Sequence, residues 1–440
     1  MSHECNDPNV LVVFTDQQRW DTVGAHGSPL DITPNVDEAA AGGTVLEQAI
    51  TCQPVCAPAR ACLQTGQYAT TNGVTNNGME LPESDHTLAR VFNRAGYDTG
   101  YVGKWHLKDG PTGPVPEGHR GGYEDYWRVA NILEFSSHPY EGVVYDENDD
   151  PVEFDGYRVD ALTDMTVDFI ERDREDPFFC FLSYLEPHHQ NDMQSYVAPE
   201  GYAHRHRFDW VPEDLRNHPG DWQEELPDYY GICERIDECY GRLLDALEAQ
   251  GELENTIVLF TSDHGSHFRT RNGEYKRSCH ESSIHVPAVV RGPGFEGGNR
   301  IDDPVSLLDF PPTLIDAAGL SVPDEMEGDS MMPLLGSDDA EWKSEVFVQP
   351  ISNEEVARTI RTDRWTYSVY APEKDGWGSG QSDLYVERYL YDLKADPHQE
   401  VNLVGRRAYE DVADRLRARL RERIEDIEGP VEIEPAEYPA

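Results

Sequence analysis

The sequence predicts an α/β protein. A large, mostly parallel sheet sandwiched by helices is followed by a smaller C-terminal antiparallel sheet with one packed helix. Three observations carry this. Apolar runs of buried-strand type, residues 9–14 (NVLVVF), 100–103 (GYVG), 178–184 (FFCFLSY) and 256–261 (TIVLFT), alternate with helical patterns. Such runs mark strands covered on both faces. Each run leads into chemistry-bearing residues, and in parallel sheets sites lie outside the carboxyl ends of the strands. After the polar stretch 336–343 the pattern changes to closely spaced short strands.

The elements follow in order. The first run leads to Thr15, Asp16, Gln17 and Gln18; the second to Lys104, Trp105 and His106. The third leads to Glu186, Pro187, His188 and His189, and the fourth to Ser262, Asp263, His264 and Gly265. Helices are expected over 87–96, 159–172 and 230–250. The Pro-, Gly- and aromatic-rich connections 109–126 and 195–222 are long, and long loops in compact folds are often functional. The first lobe spans residues 1–339 and the second 340–440. In the second, strands are expected over 346–349, 356–361, 365–370 and 384–393. The turn Thr362-Asp363-Arg364 joins two of them as an antiparallel hairpin. Residues 409–427 form a charged amphipathic helix, and the acidic tail after Glu428 is expected to fray. There are no internal repeats.

One segment stands apart: Cys56-Ala57-Pro58-Ala59-Arg60, continuing to Thr65-Gly66. Pro58 suits the first turn of a helix and Gly66 its end. That places Cys56 just before a helix N-terminus, where free N–H groups and the dipole favour an anion. Taken alone, the same string also describes a small buried cysteine beside a helix start.

Composition sets the surroundings. The chain has 440 residues and a net charge of −48, from 84 acids against 36 basic residues. With 38% hydrophobic residues patterned throughout, it folds rather than remaining disordered. Six lysines accompany thirty arginines. A dense acidic surface poor in lysine reads as adaptation to high salt, where self-repulsion is screened. The charge argues against a nucleic-acid or anionic-membrane partner. None of the eight cysteines has C-x-x-C spacing, which disfavours zinc and iron–sulfur sites. The polar N-terminus and the lack of a membrane-length apolar stretch suggest a cytoplasmic protein with mostly free thiols.

The C-x-P-x-R string followed by T-G resembles the signature of the formylglycine-dependent (type I) sulfatases, in the alkaline phosphatase-like superfamily. Residues 230–265, 276–294 (KRSCHESSIHVPAVVRGPG) and 391–403 (YDLKADPHQEVNL) are similar to further segments of that family. The resemblance implies a sulfatase acting on an aryl or carbohydrate sulfate monoester, with Cys56 oxidised to formylglycine by a formylglycine-generating enzyme. It implies metal ligation by Asp16, Gln17, Asp263, His264 and the residue at Cys56. Arg60, Lys104, His106, His188 and Lys276 fall where the family holds its nucleophile and sulfate. Two positions depart from the common pattern: Gln17 replaces a second acid, and His264 replaces an Asn. One divalent ion is expected, Ca2+ first; the nitrogen of His264 favours a borderline ion such as Mn2+, and Mg2+ is a further alternative. Related phosphonate monoester and phosphodiester hydrolases share the modified cysteine and are the alternative reading.

The family chemistry implied is attack on sulfur by one hydroxyl of the aldehyde hydrate, then expulsion of sulfate by C–O cleavage. Arg60 and Lys104 would offset charge at the nucleophile. Lys276 and His188 would bind sulfate oxygens, one of them protonating the leaving oxygen, and His106 would be the base. His189 and His280 are expected to be structural or pocket-lining, and Lys108 a surface charge. His119, Arg120, Asn76, Asn77 and Gln190, Asn191 and Asp192 are candidates for contacting the alcohol half.

Overall fold

The continuous apolar runs resolve into strands with two buried faces. In Asn9–Thr15 every residue is buried. Val10, Val12 and Phe14 pack on one side with Ala57 and Leu63. Leu11 and Val13 pack on the other with Tyr229, Cys233 and Ile236. Each fully buried apolar side chain of this size contributes roughly 1.5–3 kcal/mol, and the two polar residues, Asn9 and Thr15, lie at the strand's ends with their side chains hydrogen-bonded. This is a computed structural model that describes residues 7–110, 112–337 and 340–437. Cys5, most of the polar N-terminus and the expected lobe boundary at Asp339 lie outside the described residues.

Eleven described strands form the large sheet. Its centre is parallel, in the order Thr256–Ser262, Asn9–Thr15, Phe178–Ser183, Asp98–Lys104, Tyr126–Ala130. Ala288–Arg291 runs antiparallel beside Thr256–Ser262, and Thr44–Ile50 and Asn299–Ser306 continue that edge. Glu141–Tyr145 runs antiparallel at the other side. The sheet is therefore mixed, with a parallel centre as expected. Register puts Thr15 opposite Ser262 and Gly103 opposite Ser183, so Asp16, Asp263 and Lys104 emerge at one edge. Gly103 has φ 103°, and a Cβ there would meet the Ser183 carbonyl at 2.0 Å. Only glycine lets the chain pass this point and deliver Lys104.

The helices cover both faces. Leu88–Arg94 and Arg158–Ile170 fall where the pattern placed them. The long helix begins at Trp222, eight residues before its expected start, and runs to Gln250 with Pro227 inside its early turns. The connection before it holds two single-turn helices, Tyr202–Arg205 and Glu213–Arg216. Among the described residues no helix is long and apolar enough to cross a membrane.

The smaller sheet follows. Glu345–Val348, Val356–Thr362, Trp365–Ala371 and Leu384–Asp392 are antiparallel neighbours. The helix Glu410–Glu428 presents Ala413, Leu416, Leu420 and Ile424, spaced three and four apart, to this sheet's own core. The expectation of a frayed tail after Glu428 is corrected: Glu432–Glu434 adds a fifth strand, parallel to Leu384–Val386, and buries Ile433. An alternating acid–apolar–acid triplet suffices for one edge strand, because only Ile433 has to face the core.

Candidate active site

Cys56 begins the helix Cys56–Thr65 rather than preceding it, with Val55 as the extended N-cap. Pro58 lies in the first turn, and Gly66 ends the helix in the left-handed conformation, its N–H on the Cys62 carbonyl at 2.8 Å. No side chain of Val55 caps the start. Instead Asn77 Oδ1 accepts from the Ala57 N–H at 3.1 Å. All ten residues of the helix are buried.

Asp16 is the hub. Its Oδ2 accepts from Arg60 Nη2 at 3.0 Å and from Lys104 Nζ at 2.8 Å. Its Oδ1 lies 3.5 Å from Cys56 Sγ and 3.7 Å from His264 Nε2. Burial and Cys56 push this carboxyl up, but Lys104, His188 and Lys276 hold it far below the usual range. Asp263 lacks that cation density: burial and then Asp16 push it up to about 7. Arg60 reaches Asp263 Oδ2 only at 3.6 Å, and its second nitrogen is committed to the Lys104 carbonyl and the Ser183 hydroxyl.

Lys276 Nζ donates to Cys56 Sγ at 2.8 Å, and His264 Nε2 lies 3.4 Å away. Burial pushes the thiol up, yet Lys104 and Lys276, with hydrogen bonds from His106 and His188, hold it well below the usual thiol range. A cysteine stabilised as an anion in this way is a reactive one. His106 has a left-handed φ of 60°, its N–H on the Asn131 carbonyl, and its buried Nδ1 has no partner. His188 Nδ1 donates to the His189 carbonyl at 2.6 Å, leaving Nε2 for the site. Burial, then Lys276, lowers its pKa.

The residues fit a metal ion. Ligand atoms of Asp16, Cys56, Asp263 and His264 all lie within 4.8 Å of one another, and all four residues are buried. Gln17, at φ 72°, donates its backbone N–H to Asp263 Oδ1 at 3.0 Å and its Nε2 to Tyr196 OH at 2.6 Å. Its Oε1 is buried with no hydrogen-bond partner, and so is Asp263 Oδ2. Two orphaned buried oxygens beside a carboxylate and an imidazole carry a large cost unless a cation meets them.

The strand-end residues Asp16, Gln17, Lys104, His106, His188, Asp263 and His264 thus converge with Cys56, Arg60 and Lys276. Glu134 was not marked by the sequence. It is buried, its Oε1 accepts from Lys104 Nζ at 3.0 Å, and its Oε2 has no partner. Burial pushes it up, but Lys104, then His106 and His188, bring it to about 2. It sits in the one-turn helix Leu133–Ser136, which has no periodic pattern to flag it.

The peripheral candidates divide. His189 stacks on His188 at 4.4 Å and lies tilted against Tyr275 at 4.5 Å, and burial with His188 and Lys276 pushes it down to about 2. His280 lies beside Tyr391 OH at 3.2 Å. Lys108 pairs with Glu80 and Asp109, and His119 also pairs with Glu80. Asn191 is partly buried, and Asp192 pairs with His138. Three expectations of substrate contact are corrected, because internal bonds occupy the side chains. Arg120 binds the Val115 and Glu147 carbonyls and Asp149. Asn76 bridges the Gly376 carbonyl and Arg277. Gln190 joins Arg158 to the Ser137 carbonyl.

Comparison with known proteins decides the family. The sulfatase family pattern matches residues 8–320, and the pattern for the N-sulphoglucosamine sulphohydrolase C-terminal region matches residues 273–426. The chain belongs to the sulfatase family. This sulfatase is a sulfuric ester hydrolase of the arylsulfatase-like kind. It is 31% identical to an ulvan-active sulfatase of Formosa agariphila, over 96% of this chain and 82% of that protein. It shares its fold, at TM-score 0.79 and 24% identity, with a protein solved with its substrate D-glucosamine-2-N,6-O-disulfate, covering 96% and 98% of the two chains. The phosphonate monoester hydrolase of Agrobacterium radiobacter has the same fold at TM-score 0.70 and 23% identity, covering 94% of each chain.

Proposed function

We propose that this sulfatase hydrolyses carbohydrate sulfate monoesters, with the residue at Cys56 as nucleophile in the form of formylglycine. The contact of Lys276 Nζ with Cys56 Sγ at 2.8 Å, inside a buried cation cluster, carries the reading. A thiol has no need of five converging cationic or imidazole groups to fill a core. A sulfate ester does, because its anionic oxygens repel a nucleophile until their charge is offset. The ulvan-active relative supports the carbohydrate class.

Roles follow from the geometry. Arg60 and Lys104 both hold Asp16, fixing the wall against which the nucleophile rests. Lys276 carries three donors and faces the nucleophile directly, so it binds a sulfate oxygen and supplies the proton to the leaving oxygen. His188 orients Nε2 toward the same place through its bond to the His189 carbonyl. His106, with Nδ1 unpaired and the ring on Cys56, is placed to take a proton from a hydroxyl at residue 56. Water adds to the aldehyde made from Cys56 to give a diol: one hydroxyl attacks sulfur and displaces the alcohol, and the other loses its proton and expels sulfate by C–O cleavage, restoring the aldehyde, an exit a serine ester lacks.

Asp16, Gln17, Asp263, His264 and the side chain at position 56 would hold one divalent ion. A bound ion polarises a sulfate oxygen and eases ionisation of the nucleophile. Ca2+ is the first expectation; the His264 nitrogen favours a borderline ion such as Mn2+, and Mg2+ is a further alternative. A formylglycine-generating enzyme is the maturation partner. The seven free buried cysteines among the described residues fit the cytoplasm. We also divide the chain into a catalytic unit, residues 1–339, and a C-terminal unit, residues 340–440, on their separate cores.

Rates on matched sulfate monoester, phosphate diester and phosphonate monoester substrates test the assignment. Release of inorganic sulfate should be fastest. A preference for the phosphonate would move the enzyme to the alternative class.

A further inference from the structure

Residues 75–81 run between the nucleophile helix and the segment after Lys104: Asn77 Oδ1 accepts from Ala57 N at 3.1 Å, and Leu81 N donates to the Leu107 carbonyl at 2.9 Å. Between these two ties stands Met79, 38% exposed, with Sδ 3.3 Å from the Thr75 N–H.

A loop of the smaller sheet is fastened to the same segment. Asn76 Nδ2 donates to the Gly376 carbonyl at 2.8 Å, and Asn76 Oδ1 accepts from Arg277, the neighbour of Lys276, at 3.0 Å. Gly376 sits against Ser352 so tightly that a Cβ would lie 2.0 Å from its carbonyl oxygen. Asp375 Oδ1 accepts from the N–H groups of Trp377 at 3.1 Å and Gly378 at 2.7 Å. Gly380 is held by Arg358 at 2.7 Å and lies against Thr75. The backbone is therefore fixed on both sides of Trp377, whose side chain is 65% exposed. This indole is displayed on a pinned loop of a chain whose net charge is −48. An aromatic ring on a fixed backbone offers a rigid apolar face with a polar N–H at its edge.

We propose that Trp377, on the loop that Asn76 ties to Arg277 beside Lys276, forms a platform on which the C–H face of a sugar ring stacks. This rests on the carbohydrate-sulfate reading. Two hydrogen-bonded side chains, Asn77 and Asn76, stand between Ala57 and the loop. The ring that Trp377 meets is therefore the one adjoining the sulfated sugar, not the sulfated sugar itself. The platform adds apolar contact where the pocket below supplies only charge, and it selects oligosaccharide over monosaccharide substrates. Its surroundings also suit an uncharged partner: the carboxylate of Asp375, bonded to the Trp377 backbone N–H, disfavours a second sulfate at this ring.

The test uses the mature, metal-loaded enzyme with monosaccharide sulfates and the disaccharides built on them, and inorganic sulfate as a competitive inhibitor of the pocket alone. Trp377→Ala should raise KM for the preferred disaccharide sulfate about tenfold while kcat stays within about twofold, the size expected of one lost aromatic contact. KM for the monosaccharide sulfate and the Ki of inorganic sulfate should not move, and Trp377→Phe should keep most of the disaccharide preference. Equal changes on both sugars, or none on either, would overturn the platform while leaving the carbohydrate reading in place. If the wild-type enzyme releases sulfate from aryl esters but from no sugar, the carbohydrate reading fails, and the platform with it.

Discussion

Arg361 grips Glu281 with both arms of its guanidinium, Nε to Oε1 at 3.1 Å and Nη2 to Oε2 at 2.9 Å, joining the smaller sheet to the helix behind Lys276. Burial pushes the Glu281 carboxyl up, but Arg361 and His285 outweigh it and hold it far below its ordinary 4.5. A carboxyl depressed in the folded state contributes stability that is complete above the unfolded pKa and is lost as pH falls through lower values. Glu281→Gln should therefore cost ~3 kcal/mol at pH 7, the low end for breaking a buried ion pair. It should also flatten the loss of stability below about pH 4.5. Thermal melts of both proteins from neutral pH to pH 3 check this; parallel curves would show that the pair is not what acid disrupts.

Glu134 secures Lys104 from the side opposite Asp16. Glu134→Gln keeps the shape but removes the charge, leaving Lys104 free to shift. We expect kcat/KM to fall by about tenfold to a hundredfold, in line with misplacing one electrostatic group, and the melting temperature to fall with the lost buried ion pair. Kinetics well below the variant's melting temperature separate the two effects: a folded variant that keeps its full rate would contradict the positioning role.

Removal of the metal should abolish turnover and spare the fold, because Asp16 and Asp263 extend strands that are already buried on both faces. Asp263→Ala should lose metal and activity together, measured by elemental analysis and rate on one sample. A chelated enzyme retaining its full rate would contradict the metal role assigned to Asp16, Gln17, Asp263 and His264.

Much of this site was legible because its residues follow four continuous apolar runs, and strand register converts adjacency in a parallel sheet into adjacency of their ends. The parts that were not legible depend on tertiary closure. Glu134 reaches Lys104 from a single-turn helix with no period to mark it. Asn76 and Arg120 have the residue types of ligand contacts, yet their polar atoms are consumed in tying loops together. Ala288–Arg291 is four residues long and antiparallel inside an otherwise parallel region, too short for a pattern. The strand Glu432–Glu434 was hidden by its charge, since only Ile433 faces inward.

The net charge of −48 predicts salt dependence. At ~0.01 M salt the Debye length is about 30 Å, and at ~1 M about 3 Å, so repulsion across the surface is felt in dilute buffer and nearly removed in molar salt. Arginine outnumbers lysine thirty to six, and its planar fork pairs better with carboxylates. Melting temperature should rise with KCl into the molar range. A flat or falling curve would rule out adaptation to high salt.

The central claim is that residue 56 acts as formylglycine. Mass spectrometry of the peptide spanning Trp20 to Arg60, taken from active enzyme made in its native host, tests it most directly. The prediction is an aldehyde or its hydrate in place of the thiol at Cys56, with Cys52 unmodified. Active enzyme whose peptide carries only cysteine at position 56 would contradict it.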